Sequence, residues 1–146
     1  HTFEDISGTV GADGAMAIDV NLASVETYID IRNTRMIEHV FKDAATATIA
    51  SQIDMEAMNA LAVGDMAVMD FDGTLSLIGT DVDLYTEVFV GRLSEDRMTA
   101  TTDSMVFLDA EEAGIDAGIT KLMELAELPS ITRAAPVTLR LVFDAN

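Results

Sequence analysis

From Asp65 to Leu77 the sequence DMAVMDFDGTLSL alternates with hardly a fault. Ala67, Met69, Phe71, Leu75 and Leu77 share one parity; Asp70, Asp72, Thr74 and Ser76 share the other. Only Met66 and Val68 break the pattern. A period of two reads as one β-strand with an apolar and a wet side. At roughly 3.3 Å per residue it runs about 40 Å, long for a globular protein. Such a strand suits a tall barrel or a large curved sheet.

The remaining segments look able to pair with it. Phe3 to Val10 reads as a short strand, and Asp13-Gly14 as a hairpin turn. Met16, Ile18, Val20 and Leu22 alternate with polar or small residues, and Val25 to Ile31 continues extended. Asn33 to Phe41 changes to a helical period, with Asn33 or Thr34 as cap. Ala45 to Ile53 returns to strand, and Asp54 caps a short helix to Leu61. After a turn at Gly79-Thr80-Asp81, Val82, Leu84, Val88 and Val90 form another apolar face. Ser94-Glu95-Asp96 turns the chain into a strand from Arg97 to Leu108. There Met105 and Phe107 fit an inner face only if a bulge sits near Ser104. Ala110 to Leu128 is helical, ended by Pro129, and Val137, Leu139, Leu141 and Phe143 mark a closing strand. The expected fold is all-β: an antiparallel barrel or sandwich with one helical segment in the C-terminal third.

At 146 residues the chain suits a single domain over 1–146. It opens as though inside a strand already under way, so the expectation is a trimmed chain whose first strand precedes His1. No apolar run approaches the ~20 residues of a membrane-spanning helix. The 26 acidic and 8 basic residues give a net charge of −18, which repels nucleic-acid phosphates and argues against a nucleic-acid partner.

Catalytic and metal chemistries lack their residues. There is no cysteine, and His39 is the sole internal histidine, with no nucleophile in a known motif beside it. Asp70-Phe71-Asp72-Gly73 resembles the start of a calcium loop, but Asp81 stands where that loop needs glutamate. Asp109, Glu111 and Glu112 precede the helical region and offset its dipole. The nine methionines are a soft apolar inventory that suits either a filled core or a cavity for a flexible ligand; composition alone favours the core.

Several segments, in order, resemble the YceI-like family of bacterial polyisoprenoid-binding proteins. Phe3 to Val10 (FEDISGTV) is similar to its F-x-D-x-S-G-T-V strand. Ser24-Val25-Glu26-Thr27, with Ile31-Arg32-Asn33 and Arg35, resembles its S-I-x-T…N-x-x-R segment. Gly73 to Gly79 is similar to G-x-L-T-L-H-G, and Phe107 to Ile115 to F-x-x-x-R-x-D-F-G-I. The departures are definite: the family's R-D-x-H-L becomes Arg35-Met36-Ile37-Glu38-His39-Val40, and Ile78 replaces its histidine.

The resemblance implies an extended lipocalin-like β-barrel and non-catalytic binding of an isoprenoid, such as ubiquinone or a polyprenyl phosphate. It also implies transport or storage of that lipid, a periplasmic or secreted location, a homodimer and appended domains. The expected lining is Ile18, Val20, Leu22, Ile29, Ile49, Met69, Phe71, Leu75, Leu77, Val88, Val90, Leu139, Leu141 and Phe143, with Ile115, Ile119 and Met123 closing one end. Arg35 and His39 are the expected contacts of the polar head. The alternative is an interaction module of a larger secreted or envelope protein, with a filled core.

Overall fold

A computed structural model describes residues 1–144. Its strands are β1 (Thr2–Phe3), β2 (Ile6–Val10), β3 (Ala15–Asn21), β4 (Val25–Glu26), β5 (Thr46–Gln52), β6 (Met66–Leu77), β7 (Thr80–Arg92), β8 (Arg97–Thr102), β9 (Val106–Asp109), β10 (Ala134–Val137) and β11 (Arg140–Asp144). The helices are α1 (Asp30–Arg35), α2 (Met55–Ala60) and α3 (Asp116–Leu125), and a π turn over Met36–Val40 extends α1. Seven strands form one antiparallel sheet in the order β11-β8-β7-β6-β5-β3-β2, and β1–β4 and β9–β10 are separate two-stranded ladders. The sheet curls into a half-barrel: a lipocalin-like all-β fold whose edges are β2 and β11.

The long alternating segment is β6, at the centre of the sheet, where it pairs with β7 over its whole length from Met66↔Gly91 to Leu77↔Thr80. Its exposure alternates as its sequence does. Met66 and Val68 do not break the register, because both stand on the exposed convex side, 62% and 51% accessible. The connection to β7 is Ile78-Gly79, both at positive φ, rather than a turn at residues 79–81. This shape matches the right-handed twist of the flanking strands. A β-branched residue at φ 44° is strained, and Ile78 is held there by packing against the core.

That core lies at the β6–β7 turn end. Leu22, Val25, Val40, Phe41, Ala47, Leu77 and Ala113 are buried together, with Ile115, Ile119 and Leu122 packed against them. The π turn and α3 therefore plug this end of the curl. They meet at Gly118, where a Cβ would stand 2.6 Å from the Val40 Cα, so the helices cross backbone to backbone.

Several local expectations change. The extended run from Val25 stops at Glu26, and α1 begins at Asp30 with Ile29 as an N-cap that makes no side-chain bond. Asn33 does not cap α1; its Oδ1 accepts from the Thr27 amide at 2.9 Å and the Thr27 hydroxyl at 2.6 Å. The strand from Arg97 to Leu108 is two strands, β8 and β9, and needs no bulge. Met105 and Phe107 are 58% and 68% exposed, so their parity with Arg97 is genuine. The C-terminal strand is likewise split, into β10 and β11. The helical region starts late: Asp109 Oδ1 accepts from the amides of Glu111 and Glu112 and closes a turn before α3. Asp54 caps α2 as expected, accepting from the Ala57 amide at 3.0 Å.

Candidate functional site

The concave face of the sheet is an apolar trough. Its rungs follow from strand register: Ile18↔Ile49↔Leu75↔Val82 crosses four strands, Met69↔Val88 and Phe71↔Thr86 lie on the central pair, and Leu141↔Ala100↔Val90 and Phe143↔Met98 carry it to β11. Gly73 shares the parity of Phe71, and a Cβ there would stand 2.9 Å from the Phe71 ring. Absence of a side chain lets that ring lie over the strand and smooth the floor.

Burial along the trough is uneven. Leu22, Val20 and Leu77 are buried at the plugged end, and so are Met16 and Ile18 on β3 and Leu84, Thr86 and Val90 on β7. Ile49, Met69, Phe71, Leu75, Val88, Leu139, Leu141 and Phe143 are only half-buried. In a sandwich a second sheet would cover such a face. Among the described residues no second large sheet lies over it, since the other ladders have only two strands each. Apolar side chains are thus ordered on a rigid concave wall and left partly open to solvent. Two surface hollows, about 340 and 420 Å³, are lined mainly by polar residues, one by Asp5, Ser7 and Asp19 among others and one by Asp81, Asp83 and Glu112 beside Val82.

Of the expected lining residues, Ile29, Ile115 and Leu139 lie outside the strands and helices: Ile29 precedes α1 and is 44% exposed, Ile115 precedes α3, and Leu139 joins β10 to β11. Ile115, Ile119 and Met123 belong to α3 or its entry, with Ile115 and Ile119 against the core. Arg35 does not reach the trough floor through its Nη1, which donates to the Leu125 carbonyl at 3.2 Å and so ties α1 to the C-terminal turn of α3. His39 Nε2 is 3.8 Å from Glu38 Oε2. Sequence reasoning passed over Arg92, whose parity with Val88 and Val90 puts it on the concave side. That shared parity was the signal available.

The segment entering α1 is fixed by Glu26. Its carboxylate accepts from the Tyr28 amide and, at 3.2 Å, from Asn33 Nδ2. These bonds hold Tyr28 at φ 61° and keep the Glu26 carboxyl below the ordinary 4.5, the Tyr28 amide contributing most. A depressed folded-state pKa means the stabilisation is complete above about pH 4.5 and is lost as pH falls through the folded value. Thermal melts between pH 6 and 3 should therefore lose stability less steeply in Glu26→Gln than in the parent. Equal slopes would show that Glu26 is not linked to folding.

No protein-family model matches the chain, and no curated protein is similar to it by sequence. Solved structures do match. A polyisoprenoid-binding domain from Saccharophagus degradans, implicated in plant cell wall breakdown, shares 34% identity at a TM-score of 0.95, over 99% of this chain and 84% of that one. A YceI protein from Campylobacter jejuni matches at 0.72 with 11% identity, over 99% of this chain and 84% of its own. BcnA of Burkholderia cenocepacia matches at 0.70 with 15% identity, over 96% and 84%. The last two share the fold. With the first, identity and coverage add up to kinship across the curled sheet, the trough and the helical plug, and the chain belongs to the YceI-like family.

Proposed function

We propose that this protein binds a polyisoprenoid lipid non-catalytically, its tail lying along the concave trough. The observation that carries the reading is the partial exposure of Ile49, Met69, Phe71, Val88, Leu141 and Phe143 on a face that ordinary packing would bury. A filled core, as an interaction module would have, leaves no such strip. The S. degradans relative, described as a polyisoprenoid-binding domain, supports the same class of ligand.

Magnitudes favour exchange over trapping. A tail of about 40 carbons at ~0.8 kcal/mol per buried CH₂ would gain about 30 kcal/mol against water. Non-covalent affinities saturate near ~18–21 kcal/mol, so the gross sum cannot appear as net affinity. Against a bilayer, where the tail is already dry, transfer is near neutral, which suits transport or storage. The same reading places the protein in the periplasm or outside the cell, as a homodimer or within a longer chain, carrying ubiquinone or a polyprenyl phosphate.

Native mass spectrometry of the purified protein, with organic extraction of what it releases, tests this reading. Stoichiometric isoprenoid is expected. A bare mass that persists after incubation with isoprenoids of several lengths would refute it.

A further inference from the structure

The trough wall holds one feature that an apolar tail does not require. Among the described residues, Arg92 is the only charged side chain at an inward register position of the seven-stranded sheet. It stands at the end of β7 opposite Met98, which itself pairs with Phe143. From there to Val82, near the plug, the strand runs roughly 33 Å at about 3.3 Å per residue.

A cation on such a wall is ordinarily matched by a carboxylate. The chain has 26 acidic residues, yet none of the ion pairs among the described residues includes Arg92. Its Nη1 donates to the Glu95 carbonyl at 3.1 Å and its Nη2 to the Met58 carbonyl of α2 at 3.2 Å. These neutral acceptors hold the guanidinium in place and leave its charge uncompensated. Its Nε is buried and has no hydrogen-bond partner. A buried donor left unmade is costly, which favours any small shift that brings an acceptor to it.

We infer that Arg92 receives the polar head of the lipid, through an acceptor oxygen bearing negative charge or a strong dipole. This rests on the isoprenoid reading and deepens it. The tail then runs from Arg92 toward Leu77, with the head at the end away from the helical plug. A phosphate oxygen and a quinone carbonyl are the two chemistries that fit: both accept from an N–H, and the phosphate would also neutralise the charge.

The test compares three probes on the full chain: a polyprenyl phosphate, ubiquinone and the hydrocarbon squalene, which has a tail and no acceptor. Affinities are measured for the parent, Arg92→Met and Arg92→Lys. Arg92→Met is expected to weaken at least one oxygen-bearing probe about tenfold or more while squalene binds as before. Loss confined to the phosphate identifies an anionic head, and loss confined to ubiquinone a neutral one. Arg92→Lys keeps the charge without Nε, and recovery of phosphate binding alone would assign the contact to charge. Equal weakening of all three probes in both variants would reduce Arg92 to a brace for α2 and overturn the inference. Unchanged binding of both oxygen-bearing probes would overturn it as well. Failure of the parent to bind squalene or either other probe would instead sink the isoprenoid reading beneath it.

Discussion

Phe71→Asp is expected to cost the protein its lipid and leave it folded. Phe71 sits mid-trough on β6 with its ring over Gly73, half-buried. A carboxylate there must lose its water when a tail covers it, or take up a proton first; either penalty falls on the complex. Isoprenoid affinity should drop at least a hundredfold, or about 2.7 kcal/mol. The free protein pays less, because partial exposure lets the carboxylate stay hydrated. Asp70→Asn supplies the control: one residue away on the convex face, it should leave affinity within about twofold. Matched titrations with an isoprenoid probe, beside circular dichroism of both variants, decide the point. Retained binding in Phe71→Asp would show that the tail does not run past β6.

Gly118→Val should damage the fold itself. The α3 backbone crosses the π turn there, and a Cβ meets the His39 carbonyl and, at 2.6 Å, the Val40 Cα. Neither is the movable end of a side chain. Val40 is 1% exposed at the centre of the core, so it cannot retreat without opening that core. Overpacking of this kind costs about 3 kcal/mol. For a domain of this size the melting temperature should fall roughly 10 °C. Gly118→Ala should fall less. A melting temperature equal to the parent's would mean that α3 does not seat at Gly118.

Strand periodicity made most of the sheet legible. The alternations in β3, β5, β6 and β7 each set the right side inward, because one face packs or lines the trough and the other meets water. Breaks in strands were harder. Arg97 to Leu108 reads as continuous because Met105 and Phe107 look like inner residues; their exposure on the β8–β9 side is a tertiary outcome that no local pattern encodes. The start of α1 was hidden for a related reason. Ile29 and Ile31 mimic a strand alternation, and the bonds from Glu26 and Asn33 that turn the chain act across several residues.

The site was legible as a face rather than as a set of contacts. Inner parity identified Ile49, Met69, Phe71, Leu75, Val88, Leu141 and Phe143, but not which of them stay open, since that depends on where the helical plug stops. Arg35 and His39, the expected contacts of the polar head, occur together in the segment that resembles the family. The fold ties Arg35 Nη1 to the end of α3. Arg92 lies beside the turn at Ser94, and in the sequence only its parity with Val90 marks its inward position.

Two methionines on one strand allow the most direct test that the lipid lies in the trough. Met69 faces the concave side opposite Val88, and Met66 stands 62% exposed on the convex side. With methyl-labelled methionine and an isoprenoid carrying a spin label on its tail, the Met69 methyl resonance should broaden strongly while that of Met66 stays sharp. Broadening of Met66 with Met69 unaffected would put the lipid on the wrong face of the sheet and contradict the trough as its seat.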